Sequence, residues 1–235
     1  MCALVKFGGG VSAMSGKLGG TVFARNKTGA YSRNWVKPIN ANTTKQQTVR
    51  NEFANLIARW KDLTEAQQTA WEDMAPQYPY TNRLGESSEY TGQQLHNHLN
   101  MNLQVIGGTL LDSPLVPATF SSTRITGFTI TTLAGVLDSA DVTLQAVGVA
   151  TESIIVEVTT SLSGGITKPA RGLFKQVEIF DDASSGTTLD IQSSYDTLYG
   201  DPELGAKVFV RAWLVNENTG QRMSLGQAGA TVTGT

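Results

Sequence analysis

The basic side chains of the first 61 residues are the most concentrated chemical feature of the sequence. Ten of these residues are lysine or arginine and one, Glu52, is acidic, so the segment has a formal charge of +9. The remaining residues carry −11, and the overall charge of −2 therefore conceals a separation of charge along the chain. Aromatic side chains lie between the basic ones, a combination typical of interfaces with acidic partners. The segment is predicted to bind an acidic surface.

Seven residues of this segment are predicted to form the interface: Phe23, Arg25, Lys27, Tyr31, Arg33, Trp35 and Lys37. The basic side chains would contact acidic groups, and the aromatic rings would supply desolvated anchors. Nucleic acid is one possible partner, because Lys and Arg release counterions from phosphates. We favour a protein partner, including another copy of the chain, because the basic residues are spread along the segment and the rest of the chain is acidic.

The glycine-rich run from Gly10 to Lys17 does not fit the phosphate-binding loop that it partly resembles. That loop requires glycine where Val11 stands and Ser or Thr where Leu18 stands, so two of its defining positions are missing. The sequence also has no nucleophile elbow and no Ser-x-x-Lys motif with partners for nucleophilic catalysis. We therefore predict that the protein is not an enzyme.

Histidine and cysteine are too scarce for a typical metal site. His96 and His98 lie two positions apart on a predicted helix, where side chains point about 200° apart, and both are predicted to be ordinary surface or interface residues. The single cysteine excludes an intramolecular disulfide and a cysteine-rich zinc site. Aspartates in predicted loops could bind a calcium ion, but the sequence contains no EF-hand loop. We expect no cofactor and no metal.

Composition and pattern place these residues in an α+β protein with three parts. The chain is 40% hydrophobic and 16% charged, which fits a globular protein rather than a disordered or membrane chain. The start, MCALVKFGGG, is broken by Lys6 and three glycines and does not fit a signal peptide, so we expect folding in a cytoplasm without a membrane partner. The predicted parts are an extended basic arm over residues 1–42, a helical unit over 43–111 and an antiparallel β-sandwich over 112–235.

The arm is predicted to contain a β-ribbon. Strand-like runs at 21–25 and 30–36 flank the turn-forming tetrad 26–29. Strand alternation would place one face of the second run on Tyr31, Arg33 and Trp35. Because a two-stranded ribbon is marginal alone in water, we expect it to lie on a globular part of the chain or on a neighbour.

The helical unit is predicted from apolar residues at three- and four-residue steps. A cap at Thr43 or Thr44 begins the first helix, and a capping box of Thr64 and Gln67 begins the second. A third helix is predicted to begin near Thr91. The side chains assigned to the core of this unit are Phe53, Trp60 and Trp71.

Seven strand-length runs follow and predict the sandwich. They lie at about 119–132, 140–148, 153–162, 174–181, 188–195, 206–216 and 222–233. Trp213 is assigned to the core, and the turn at 216–220 resembles the final hairpin of a fibronectin type III or immunoglobulin-like module. An exposed aromatic platform of Tyr195, Tyr199 and Trp213 would instead indicate a carbohydrate-binding or adhesion module.

The first hundred residues also resemble small virion structural proteins of tailed bacteriophages. The resemblance rests on the run 16–23, on Arg25, Gly29, Arg33, Pro38, Thr44, Gln46, Arg50, Phe53, Trp60, Leu63, Thr64, Gln67 and Trp71, and on Asn82, Gly85, Gly92 and Asn100. It implies an assembly arm followed by a helical core, with no catalytic residue. The sandwich resembles the immunoglobulin-like domains that phages display on capsids and tails.

These expectations combine into a non-enzymatic virion protein, assembled in the host cytoplasm. The leading hypothesis is a capsid decoration or cement protein whose arm binds the major capsid protein, another virion protein or a further copy of itself. A head–tail connector or tail component is the alternative within the virion. A carbohydrate-binding or adhesion module is the alternative from another class, and nucleic-acid binding by the arm is less favoured.

Overall fold

The computed structural model describes residues 2–4, 10, 14–26, 29–37, 40–81, 87–181 and 186–234. It contains several antiparallel sheets and, within those ranges, four α-helices, so the predicted α+β class is confirmed. The chain divides into two compact units, an N-terminal unit (Met1–Thr48) and a main unit (Val49–Thr235). The division falls within the first helix. The remainder of that helix, the other helices and the later sheets belong to the main unit.

The elements of the first 105 residues are short strands followed by helices. The strands of the N-terminal unit are β1 (Cys2–Leu4), β2 (Gly16–Leu18), β3 (Thr21–Asn26) and β4 (Gly29–Asn34). The next elements are α1 (Thr44–Asp62), α2 (Glu65–Met74), a 3-10 turn (Ala75–Gln77), β5 (Tyr80–Thr81), β6 (Ser87–Ser88) and α3 (Gly92–Val105). The predicted β-ribbon is thus part of a larger sheet, and the three predicted helices are confirmed.

Capping boxes begin the first three helices. In each box a threonine hydroxyl accepts a hydrogen bond from the backbone N–H three residues later, and the glutamine at that position accepts one from the threonine N–H. The pairs are Thr43 with Gln46, Thr64 with Gln67, and Thr91 with Gln94. These reciprocal bonds satisfy helix N–H groups that have no partner within the helix.

The connection after α3 is held by side chains of the helices. Asn100 pairs with the backbone of Leu111 through two hydrogen bonds of 2.7 and 3.1 Å. The indole N–H of Trp71 donates to Asp112 O at 2.9 Å, and Asp112 Oδ1 lies 2.8 Å from the Arg59 guanidinium. This connection is therefore anchored, because its backbone carbonyls receive side-chain donors.

Eight strands and a fourth helix complete the main unit. They are β7 (Ile125–Leu133), β8 (Val136–Leu144), β9 (Glu152–Val158), β10 (Lys175–Phe180), β11 (Thr188–Asp190), α4 (Gln192–Tyr199), β12 (Lys207–Asn216), β13 (Arg222–Thr231) and β14 (Thr233–Gly234), with a second 3-10 turn at Arg171–Leu173. Sheet I has the order β10-β9-β12-β13, and sheet II has the order β11-β8-β7-β14. All pairs are antiparallel except β14 with β7.

The two sheets share one hydrophobic core. Alternate residues of β12, namely Val208, Val210, Ala212 and Leu214, are fully buried and meet the inward side chains of β7 and β8. This period of two is what a strand with one core-facing side requires. Each such Val or Leu contributes roughly 1.5–3 kcal/mol when it leaves water.

One predicted strand is mostly helix. The run 188–195 forms a strand only as far as Asp190, whose carboxylate accepts a hydrogen bond from Gln192 N–H at 2.9 Å. This local turn ends the strand and is followed by α4. Ile191 and Tyr195, one helical turn apart, are both fully buried in the core, whereas Ser193 between them is exposed, so the burial pattern fits a helix rather than a strand.

Helix α3 packs on the turn between β12 and β13. Asn102 Nδ2 donates to Gly220 O at 2.9 Å. Gly220 has φ +71, and a Cβ added there would lie 2.3 Å from the carbonyl oxygen of Leu99. Only glycine fits this close approach between the turn and the helix backbone.

His96 occupies the centre of the helical core, contrary to the prediction of a surface or interface position. Its ring lies 5.4 Å from the ring of Trp60 and 5.3 Å, edge-on, from that of Trp71. Nδ1 lies 3.1 Å from Asn97 Oδ1, whereas Nε2 has no hydrogen-bond partner within the described ranges. The sequence pattern missed this position because histidine carries no signal that separates a buried ring from an exposed one.

Acidification from about pH 7.5 to about pH 5.5 is expected to lower the free energy of unfolding of the main unit. Burial lowers the pKa of His96 from its ordinary value, Arg59 lowers it further, and the Asn97 hydrogen bond and Asp112 oppose the shift. The unfolded chain, with a histidine pKa of about 6.5, therefore binds more protons in this window, and stability is lost as the pH falls.

Urea unfolding followed by circular dichroism at several pH values measures this dependence. A His96→Phe variant keeps a ring in the core and should show a weaker dependence. Part of the dependence should persist, since burial and Arg222 also lower the pKa of His98. A wild-type stability that is constant or rises over this range would contradict the assignment.

Candidate functional site

The N-terminal unit presents a four-stranded antiparallel sheet of order β1-β4-β3-β2. Gly19 and Gly20 form the two-residue connection between β2 and β3, and Gly19 has φ +58. Glycine is favoured in such short hairpin connections because it adopts positive φ without steric cost. Gly19 and Gly20 therefore have a structural role in the turn between β2 and β3.

Burial is described for residues 10, 14–25, 30–37 and 40–48 of the N-terminal unit, and none of these residues is buried. The exposed apolar side chains include Leu18 at 68%, Trp35 at 46% and Val36 at 70%. A sheet of this size normally needs a covered hydrophobic face to be stable in water. Exposed aromatic and aliphatic side chains beside a sheet are candidates for contact with a partner.

The strand register divides the predicted interface residues between two faces. Lys17 lies opposite Val22, which lies opposite Arg33, so these three side chains share one face. Tyr31 lies two residues from Arg33 and is on the same face. Phe23 and Arg25 occupy the other face of β3 by alternation. The first face combines a half-buried aromatic ring with two exposed cations.

Lys17 and Trp35 form a contact that the sequence analysis did not identify. Lys17 Nζ lies 3.7 Å from the centroid of the Trp35 ring, and the backbone N–H of Trp35 donates to Gly20 O at 2.8 Å. The indole is thereby held beside a cation, an arrangement favoured by the negative face of the ring. The pattern did not indicate it because Lys17 and Trp35 are far apart in sequence and meet only through the register of β2, β3 and β4.

Acidic side chains are absent from residues 1–48, which contain seven basic ones. Of the predicted interface residues, Arg25, Arg33, Trp35 and Lys37 are exposed, Phe23 and Tyr31 are half-buried, and Lys27 lies outside the described residues. The exposed cations of this sheet therefore have no carboxylate within their own unit. The arrangement can attract an acidic surface through these cations.

The four residues predicted for the core have different environments. Trp71 is fully buried, and Trp60 is partly buried against the same cluster. The prediction that Phe53 belongs to the core is wrong. Its side chain is 45% exposed, because the buried stripe of α1 begins only at Leu56. The core assignment of Trp213 is wrong as well. Odd-numbered positions of β12 face away from the shared core, and the Trp213 ring lies on the outer face of sheet I.

The predicted aromatic platform for carbohydrate does not form. Tyr195 is fully buried in the core, and the Tyr199 hydroxyl donates to Val158 O at 2.9 Å. The face of Trp213 is covered by the guanidinium of Arg222, 4.2 Å from the ring centroid. These three rings therefore cannot form a continuous flat surface for a sugar.

No group of three His, Cys, Asp or Glu side chains in the described ranges is arranged to hold a metal ion. In the same ranges, each helix is too short or too polar to cross a bilayer. The chain matches no protein-family model, no curated protein and no solved structure.

Proposed function

We propose that the protein is a non-enzymatic structural protein that joins an assembly through the sheet formed by β1, β2, β3 and β4. The observation that supports this function most directly is a basic sheet with exposed Leu18, Trp35 and Val36 and with no buried residue at the positions whose burial is described. Covering these side chains with a partner would remove apolar surface from water, at about 25 cal/mol per Å². Assembly would thus cover apolar side chains that the described part of the unit leaves in water.

The partner is proposed to be an acidic protein surface, either another copy of the chain or a neighbouring structural protein. Residues 49–235 carry a formal charge of −9, whereas residues 1–48 carry +7. Such charge complementarity accelerates encounter and selects partners. Nucleic acid remains the less favoured partner, because the cations are distributed over both faces of the sheet instead of along one track.

The assembly is proposed to be the virion of a tailed bacteriophage. This part of the proposal rests on the resemblance of residues 16–100 to small virion structural proteins. Within the virion, a capsid decoration or cement protein that binds the major capsid protein is the leading role. A head–tail connector or tail component is the alternative, and it would require six or twelve copies per particle. The copy number in purified virions distinguishes the two roles.

The two-sheet region is proposed to be a sandwich of the immunoglobulin or fibronectin type III kind. Its support is the strand order. If the strands from β7 to β13 are lettered A, B, C, C′, E, F and G, sheet II contains E-B-A and sheet I contains C′-C-F-G. This arrangement differs from the constant-type immunoglobulin fold in that the fourth strand joins C rather than E. Such a module would project from the particle or bridge neighbours.

Reversing charge on the face that contains Lys17 and Arg33 is expected to weaken association by tenfold or more. The double variant Lys17→Glu, Arg33→Glu replaces two cations with two carboxylates and so turns attraction to an acidic surface into repulsion. Sedimentation velocity over a range of protein concentrations measures self-association. Incorporation into purified particles measures binding to other virion proteins.

Two matched variants make this test specific. Arg25→Glu reverses charge on the opposite face of the sheet, and Arg124→Glu reverses an exposed charge in the main unit. The proposal would be rejected if the Lys17, Arg33 variant associated and incorporated as fully as the Arg124 variant. Loss of salt-sensitive DNA retention, with unchanged protein association, would instead identify nucleic acid as the partner.

A further inference from the structure

We propose that a concavity on the outer face of sheet I binds an acidic saccharide through its carboxylate. The concavity has a volume of about 500 Å³ and lies on β9, β12, β13 and the segment before β10. The residues that carry the argument are Glu157, Arg171, Phe174, Arg211, Trp213 and Arg222. This binding function is separate from assembly through the N-terminal sheet.

Two guanidinium groups of the concavity are fixed in place before any ligand arrives. Arg211 lies 4.3 Å from the ring centroid of Phe174, and Arg222 lies 4.2 Å from that of Trp213. Both arginines also pair with Glu157, from the central strand β9. Stacking and pairing hold the planar groups in single orientations, so binding a carboxylate costs little side-chain entropy.

The concavity has more positive charge than it can neutralise. Three arginines line it, whereas Glu157 is the lone carboxylate among its described lining residues. Arg171 is exposed and has no hydrogen-bond or ion-pair partner in the described part of the chain. Burial lowers the pKa of Arg222, the charge of Arg211 lowers it further, and Glu157 opposes the shift. An added carboxylate would relieve this excess of cations.

A β-bulge shapes the concavity. The register shifts between Ala212 and Trp213, opposite Ser224 and Gly226, and Gly226 has φ +97. No heavy atom lies within 4 Å of the position that a Cβ of Gly226 would occupy, so the surface is open at that point. Bulges commonly redirect side chains beside binding sites.

The lining favours an acidic saccharide over a neutral one. Ser224 and Gln227 contribute a hydroxyl and an amide, which suit the hydroxyl groups of a sugar. A neutral sugar would need a free aromatic face, but Arg222 already covers Trp213. The carboxylate of a uronate would instead accept bidentate hydrogen bonds from a guanidinium, as arginine forks favour.

Isothermal titration calorimetry of the full chain with a glucuronate-containing disaccharide tests the proposal. We expect a dissociation constant between about 10 μM and 1 mM. Arg171→Ala and Arg222→Ala should each weaken binding about tenfold, because each removes a charged hydrogen-bond donor. Arg124→Ala, which removes an exposed arginine outside the concavity, should change affinity by less than about twofold.

Arg171→Ala keeps the test informative if Arg222→Ala disturbs folding, since Arg171 has no described partner to lose. Absence of binding at 10 mM disaccharide would overturn the proposal, as would unchanged affinity in Arg171→Ala. Equal binding of the corresponding neutral disaccharide would show that the carboxylate is not recognised, which would also overturn the proposal. Equal binding of inorganic phosphate or poly-glutamate would overturn the assignment to a saccharide.

Discussion

Replacing Gly220 with alanine is expected to destabilise the main unit by about 2–5 kcal/mol. The backbone at this position has φ +71, which costs an L-residue roughly 1–2 kcal/mol. The new Cβ would also lie 2.3 Å from Leu99 O and 2.9 Å from Leu99 C, both backbone atoms of α3. Because neither atom can move without displacing the helix, overpacking adds about 1–3 kcal/mol.

Gly135→Ala is the matched control for this substitution. Gly135 has φ +86, and no heavy atom lies within 4 Å of its Cβ position, so only the conformational cost of roughly 1–2 kcal/mol applies. Urea unfolding followed by circular dichroism gives both free energies. Equal losses in the two variants would show that the approach of Gly220 to α3 contributes nothing to stability.

Trp71→Ala is expected to cost about 3–5 kcal/mol, as large-to-small substitutions of buried tryptophan do. The side chain is fully buried, contacts His96 edge-on and donates its indole N–H to Asp112 O. Its removal would leave a cavity in the helical core and a carbonyl without this donor. The connection after α3 would therefore loosen together with the core.

Two further variants separate the contributions of Trp71. Trp71→Phe keeps an aromatic ring but loses the hydrogen bond to Asp112, and should cost less than Trp71→Ala. Trp35→Ala, at an exposed position of the N-terminal unit, should change the stability of the main unit by less than about 0.5 kcal/mol. Thermal and urea unfolding at fixed protein concentration measure both. A Trp71→Ala loss below about 1 kcal/mol would contradict its role.

The helices could be predicted from sequence because their signals are local. Thr64 and Gln67 stand three residues apart, the spacing at which both reciprocal bonds of a capping box form. The apolar stripe of α1 was less informative. Periodicity indicates which side chains share a helix face, but it does not show where along the helix a partner begins to cover that face. Phe53 is exposed for this reason.

The strands of the two-sheet region were predicted less accurately. The first two runs were displaced, because β7 is Ile125–Leu133 instead of 119–132 and β8 is Val136–Leu144 instead of 140–148. A turn interrupted a third run. The run 188–195 has apolar residues that fit either period, and the Asp190 side chain decides in favour of a helix by accepting the Gln192 N–H. Trp213 was misassigned because strand alternation yields two faces and does not indicate which one meets the core.

The candidate interaction surface was only partly predictable. Its basic and aromatic composition is visible in the sequence, but the separation of Arg25 from Arg33 onto opposite faces depends on the pairing of β3 with β4. The concavity around Trp213 combines residues from 157 to 227. Contacts between residues so distant in sequence follow from register and topology, which no local pattern specifies.

The fit of Gly220 against α3 also bears on how such a chain can be recombined during evolution. Exchange of genetic segments is tolerated where a linker separates parts that fold without each other's contacts. A crossover near residues 112–118 would combine a foreign helical layer with this β12–β13 turn. The turn fits the present helix because Gly220 leaves room for Leu99 O and its carbonyl accepts a hydrogen bond from Asn102. The helices and the two sheets should therefore be inherited together, as one exchangeable module.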